Sequence, residues 1–544
     1  MVIEFPAKQR YLVSFDPHNI PIFFTDILVL GSGIAGLSAA IEATKYCNVT
    51  VVTKAEASMS NTYYAQGGIA CPFSSEDSIQ NHLRDTLQVS QGIADEQAAK
   101  WIIKHAKQYV DELILWGTVF DRSSSGKLDL AKEGGHSKAR ILHAGGDATG
   151  AEIERALISK LKNSENCNIL ENTFSIDLLT AGNTCVGALL FNSINKFFLI
   201  MASKTILATG GAGQVFRETT NPEIATGDGI AMAFRANCVV SDMEFIQFHP
   251  TTLYIAGASR ALISETTRGE GGYLRDKNGY RFMPDYHPSA ELAPRDVVSR
   301  SILEQMRKTN DTNVYLDLTH LPAKTLETRF PKLKQLCESF GLDIKKDIIP
   351  VRPSAHYTIG GVKTDLFGMT SIKNLYACGE AACTGFHGAN RLGSNSLLEG
   401  LVMGRTAALH AGKNLHKDSL SFDKIKLLGT PKTQLPGIPV ELDIDDMTNS
   451  LKSQMWRNAG PERTHDSLQE ALSKINFWAG YVFPMQFQTV NGWELQNLLT
   501  AAYLITTCSL NRTESRGCHY RKDFPEKDDK NWKKHQNISL TKGV

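Results

Sequence analysis

Within the 544 residues, two histidines and three arginines sit inside long motifs that could grip an anion. They are His249 in FHP, Arg268 in SETTRGEGG, Arg295 in APRD, His356 in AHYT and Arg391 in ANRLGSNS. An arginine's planar fork can hold a carboxylate through two parallel hydrogen bonds. The same stretches add Ser264, Glu265 and Tyr357, with Gln247 just before His249. One such residue alone is ordinarily structural; their convergence marks a candidate site. Glu133, in KEGGHSKARILHAGGDATG, is of the opposite kind. A fixed carboxylate suits a substrate ammonium, since unit charges 4 Å apart attract by ~4 kcal/mol at an effective dielectric of 20. Without such a partner, burying it would only cost free energy.

These side chains need a scaffold, and the first unit is legible. DILVLGSG (26–33) reads as a strand, Ile34 to Tyr46 as a helix and VTVVTK (49–54) as a second strand. This order starts a right-handed βαβ unit. Between strand and helix lies Gly31-Ser32-Gly33-Ile34-Ala35-Gly36, a G-x-G-x-x-G turn. Its glycines permit a tight turn, close approach to a pyrophosphate and close helix packing. The acid that would take an NAD ribose at the end of the second strand is absent; Thr53-Lys54 stand there.

Three further features favour a flavin. Asn61-Thr62-Tyr63-Tyr64-Ala65-Gln66-Gly67-Gly68 is a polar loop suited to an isoalloxazine ring, and Asp228 and Glu380 stand beside glycine turns. TILATGG (205–211) and NLYACGE (374–380) read as further strands of the same sheet. The expected class is α/β: a Rossmann-like FAD-binding domain over 1–242 and 358–420, an inserted α+β capping domain over 243–357, a linker over 421–440 with Pro431, Pro436 and Pro439, and a C-terminal helical domain over 441–544. In the last, Leu468, Ala471, Leu472 and Ile475 share one helical face, as do Leu495, Leu498, Leu499 and Ala502. The charged last two dozen residues are expected on the surface.

Composition excludes several classes. With 58 basic and 57 acidic residues there is no surplus for a nucleic-acid or membrane surface. Apolar runs such as FFLIMA (197–202) fall far short of the ~18 residues of a membrane span. No secretory signal is evident, and ten scattered cysteines, the nearest pair Cys378 and Cys383, read as reduced thiols rather than disulfides or a metal site. A cytoplasmic protein is expected.

GSGIAGLSAA, YAQGGIA, EFIQFHPT, TRGEGGYL, APRDVVSR, AHYTIGGV, HGANRLGSNSLLEG and ESRGCHYRKDFPE occur in the order found in the succinate dehydrogenase/fumarate reductase flavoproteins, and the chain resembles that family from about residue 26 to 525. The resemblance implies FAD, held also by Lys54, Ser396 and Leu397, and a dicarboxylate substrate. It implies that His249 and Ser264 hold one carboxylate, His356 and Arg391 the other, with Gln247 and Tyr357 nearby. Arg295 would be the proton-handling residue, with Glu265 and Arg268 as its relay. The family usually has threonine where Ser264 stands. The respiratory members attach flavin through a histidine where this chain has Asn61, so FAD should be non-covalent. Glu133 resembles the aspartate-oxidising members, where the succinate and fumarate enzymes place an apolar residue. The implied reaction turns L-aspartate into iminoaspartate, with oxygen or fumarate accepting the electrons. Its product would pass to quinolinate synthase for NAD synthesis. A fumarate reductase or succinate dehydrogenase flavoprotein subunit is the alternative.

Overall fold

The computed structural model describes residues 1–3, 5–6, 9–255, 260–415 and 442–540. The linker expected at 421–440 lies outside them.

β1 (Ile22–Leu30) ends in four fully buried residues, Ile27 to Leu30. It turns at the glycine motif into α1 (Ile34–Ala43), buried along its whole length, and pairs in parallel with β2 (Val49–Val52). Helix and second strand are each shorter than expected. Turns from the Tyr46 and Cys47 amides to Ala43 O close the helix early. After α2 (Thr149–Lys162), β3 (Cys167–Leu170) joins the edge beside β2. β4 (Phe174–Ala181), β5 (Thr184–Asn192) and the long β6 (Lys196–Leu207) complete the sheet in the order β3-β2-β1-β6-β5-β4. α3 (Asp228–Arg235) follows.

A second, antiparallel sheet comes next. It consists of β7 (Ile246–Leu253), β8 (Tyr273–Arg275), β9 (Val314–Asp317) and β10 (Ile349–Thr358), in the order β7-β10-β9-β8. α4 (Arg295–Thr309) packs against β7, and a core of Leu253, Leu274, Val298, Ile302, Leu316 and Val351 fills the space between. The chain then returns to the first sheet. β11 (Leu375–Ala377) pairs with the end of β6, Thr205 facing Leu375 and Leu207 facing Ala377. α5 (Asn395–Lys413) lies along α1.

Beyond the linker, α6 (Ile444–Asn458), α7 (His465–Val482) and α8 (Val490–Asn511) form a bundle. The expected faces are buried, though α8 is buried on almost every side. The architecture is therefore the expected α/β class with a helical C-terminal part.

Most charges of the last two dozen residues lie on the surface as expected, Lys522, Asp523, Glu526 and Lys527 among them; Arg521 is the exception. Arg512 and Arg521 are fully buried, and Ile538 lies in a strand (Asn537–Leu540) paired with Val240–Ser241 and with Val2–Ile3. Internal partners make this burial affordable: Arg512 meets Glu244 at 2.6 Å and Glu514 at 3.0 Å, and Arg516 meets Glu514 at 2.7 Å. A clasp holds the strand. Asp242, at φ +58°, accepts from His535 Nδ1 at 2.5 Å, the Gln536 amide at 2.8 Å and Cys383 Sγ at 3.5 Å.

Candidate active site

One cleft runs from the glycine turn to the second sheet. Its floor depends on missing side chains. A Cβ at Gly31, φ +110°, would lie 2.1 Å from Ala208 O; one at Gly36 would lie 2.0 Å from Gly31 O. Either would drive helix and strands apart. Gly36 therefore packs α1 onto the turn and is not part of the cleft wall, whereas Gly31, Ser32, Gly33, Ile34 and Ala35 line it. The α1 N-terminus carries no side-chain cap; the Ile34 amide donates to Thr62 Oγ1 at 3.0 Å, leaving the next first-turn amides for an anion.

Lys54 stands where an NAD-type acid would be, held by Asp228 at 2.8 Å and Glu494 at 2.6 Å. Burial would lower its pKa, but these two carboxylates win and raise it, so the ammonium persists. Asp228 also accepts from Thr226 and Asn497. Glu56 is exposed and off the cleft.

At the middle of the cleft Asn61 Nδ2 donates to Glu380 Oε2 at 2.9 Å, and the Thr358 amide to its Oε1 at 2.9 Å. Burial lifts the Glu380 carboxyl to about 7 despite these donors. Thr62, Tyr64, Ala65, Gln66, Gly67 and Gly68 line this part with Ser396 and Leu397 from the first turn of α5. Ser394, at φ +60°, starts α5 with no side-chain cap, so a second positive helix end faces the cleft. Tyr63 departs from expectation. The turn closed by the Ala65 amide on Thr62 O sends it outward, 45% exposed and off the wall. A glycine-walled cradle, two uncapped helix N-termini and a protonated lysine fit a flavin dinucleotide. Asn61 has no nucleophile for a covalent bond.

The second sheet closes the far end. β7 and β10 slip register between Gln247 and Phe248 and between His249 and Thr252. Such bulges re-aim side chains, and the His249 and His356 rings meet at 5.2 Å, edge to face. His249 Nδ1 lies 3.1 Å from Thr251 O, and His356 Nδ1 lies 2.9 Å from Thr220 Oγ1. Burial, then the neighbouring cations, holds both imidazoles far below their usual pKa: Arg295 for His249, Arg391 and Arg295 for His356. Arg391 lies 4.4 Å over the Tyr357 ring and donates to Ser396 Oγ at 3.0 Å. Its Nε has no hydrogen-bond partner among the described residues, and burial with Arg295 nearby pushes its pKa down to about 10.

Arg295, at the start of α4, donates to Glu265 Oε2 at 2.7 Å and Gln247 Oε1 at 3.3 Å. Burial would raise the Glu265 carboxyl, but Arg295 and Arg268 hold it below its usual value. Arg268 is fully buried behind Glu265, 3.5 Å from its Oε1, and neither it nor Gln247 forms the wall. Ser264 does, its Oγ 2.9 Å from Thr266 Oγ1. Tyr357 donates to Glu399 at 2.9 Å.

Glu133 is 5% exposed and lines the same cleft. It accepts from Ser394 Oγ at 2.7 Å. A Cβ on Gly393 would come within 3.1 Å of Glu133 Oε2 and 3.2 Å of Arg295 Nη2, so carboxylate and guanidinium meet at one glycine. The sequence reading missed Ser394, Thr220, Asn221, Leu262 and His143. Ser394 lay near two residues already singled out and His143 in the motif of Glu133; the others carry no local signal.

Comparison with known proteins follows the same lines. The FAD binding domain family model matches residues 26–397, and the fumarate reductase flavoprotein C-terminal model matches 448–543. The chain is 41% identical to an L-aspartate oxidase of Yersinia pestis, covering 92% of this chain and 96% of that one. It is 40% identical to an L-aspartate oxidase of Streptomyces coelicolor, covering 95% and 91%. Among solved structures, an E. coli quinol fumarate reductase superposes with a TM-score of 0.90 at 32% identity, covering 95% and 94%. No helix among the described residues is long and apolar enough to cross a membrane. The chain belongs to the succinate dehydrogenase/fumarate reductase flavoprotein family, in its L-aspartate oxidase branch, and takes FAD as its cofactor.

Proposed function

We propose that this protein oxidises L-aspartate to iminoaspartate, the first step of quinolinate and NAD synthesis, with oxygen or fumarate as acceptor. The observation that carries the reading is the buried Glu133 carboxylate opposite Arg295, in a cleft otherwise lined by His249, His356 and Arg391. A ligand with two carboxylates and an ammonium satisfies all of these charges; succinate leaves Glu133 unpaired. The bound FAD supplies a two-electron acceptor for the hydride of Cα.

The remaining work belongs to the chain. His249 and Ser264 hold the side-chain carboxylate. His356 and Arg391 hold the α-carboxylate, Arg391 through N–H groups left free in the fold. Burial and the neighbouring arginines hold both imidazoles well below their usual pKa, and a bound carboxylate would act in the opposite direction. Glu265 and Arg268 fix the Arg295 guanidinium, which orients the substrate and, with fumarate, delivers a proton. We assign the FAD-binding part to 1–242 and 358–420, the cap to 243–357 and the helical part to 441–544. Quinolinate synthase is the proposed recipient of the product.

Anaerobic mixing of the holoprotein with L-aspartate tests this: the flavin absorbance should bleach, and air should restore it with release of peroxide. The 32% identity to a fumarate reductase keeps one rival. Succinate–dye activity with no bleaching by aspartate would establish that rival instead.

A further inference from the structure

Glu133 has a neighbour that the reaction above leaves without a task. His143 Nε2 lies 3.7 Å from Glu133 Oε1, and the His143 side chain is 12% exposed. Neither of its ring nitrogens has a hydrogen-bond partner among the described residues. Buried polar atoms are ordinarily paired, so an unmatched imidazole against a substrate-facing carboxylate calls for explanation.

Aspartate oxidation must dispose of a proton as well as a hydride. The Cα–H bond breaks and its hydrogen leaves with the electron pair to the flavin. The C=N bond forms only if the ammonium gives up one N–H proton, because an ammonium has no lone pair. Arg295 is a poor acceptor, a guanidinium already bound to Glu265. His249 and His356 are committed to carboxylates. Glu133 touches the ammonium but, once protonated, would no longer attract the next substrate.

We propose that His143 relays this proton, taking it from Glu133 on Nε2 as the imine forms and giving it up to water only after the product has left the cleft. The inference rests on the aspartate reading of the site. The 3.7 Å separation exceeds a hydrogen bond, and such contacts commonly tighten when substrate binds. Glu133 is the charged group facing His143; beyond Glu133 stand Arg295, Glu265 and His136, and Asp121 caps the amides of Gly145 and Gly146 just along the chain. His143 acts through Glu133 and does not itself contact substrate.

The test uses the FAD-loaded full chain with His143→Leu and, to preserve a polar head, His143→Gln. Each should slow anaerobic bleaching by L-aspartate about 100-fold at neutral pH, the lower end of general acid–base effects. The wild-type rate should fall on the acid side of its pH profile, and that fall should be absent in both variants. Fumarate reduction by a reduced dye, which involves no ammonium, should hold within about twofold, as should FAD retention read by flavin fluorescence. Unchanged bleaching and pH profile in both variants would overturn the relay alone. Parallel losses of bleaching, fumarate reduction and FAD retention would make His143 structural and also overturn it. A wild-type protein that aspartate does not bleach removes the proposed function, and the relay with it.

Discussion

Two clusters of buried arginine in this molecule look alike in sequence and are opposite in physics. In the C-terminal cluster Arg512 and Arg516 each have carboxylate partners within 3.0 Å. Burial lowers their pKa, but the partners more than offset it and raise it. In the cleft, Arg391 has no carboxylate within ion-pair distance among the described residues, keeps an unmatched Nε and is pushed down to about 10 by burial and by Arg295. Arg512 and Arg516 have their charge matched by internal partners, whereas Arg391 keeps donor capacity that an incoming anion can take up.

The largest test separates the clusters by what fails. Arg512→Leu strands Glu244 in the interior, costing about 3–5 kcal/mol, and should appear as a large drop in Tm. Arg391→Leu should leave Tm nearly unchanged but cost about 2–5 kcal/mol of substrate binding, roughly 30- to several-thousand-fold in kcat/KM for aspartate. A reversed pattern would break the distinction. Glu133→Gln sharpens it from the anionic side. Losing a hydrogen bond to a charged group, about 1.5–3 kcal/mol, should lower kcat/KM for aspartate about ten- to a hundred-fold while sparing fumarate. Arg516→Lys gives up the paired contacts to Glu514 at 2.7 and 2.8 Å; it should lose about 1–2 kcal/mol of stability with unchanged kinetics. The smallest effect concerns His535. Burial alone would lower its pKa, but Asp242 wins and raises it above the usual histidine value. Its contribution is therefore complete at pH below the unfolded value and fades as pH rises through the raised one. The Tm gap between wild type and His535→Asn should be wider at pH 5.5 than at pH 8.5.

What the sequence revealed depended on range. The Gly31–Gly36 turn was legible because its requirement is local: a Cβ there meets backbone within a few residues or the next strand. The α7 and α8 faces followed from periodicity. Arg391, His356 and Glu133 were legible through long motifs, though their pairing across the cleft was not. His143 stood in the same motif as Glu133, but their nearness was not legible, since it is set by the folding of the intervening loop. Tyr63 was misplaced because it packs edge to face on Tyr64, and of the two only Tyr64 lines the cleft. The burial of Arg521 was not legible because the carbonyls that receive it, of Ser509 and Arg512, reach it only in the folded chain.

The stretch Arg391–Leu397 holds an anion-seeking guanidinium at one end and the cradle of the flavin at the other, with Ser394 gripping Glu133 between them. Neither ligand can settle there without restricting the segment that the other requires. By reciprocity each should strengthen the other's hold. A dicarboxylate added to the holoprotein should then slow the loss of FAD on dilution, read by flavin fluorescence.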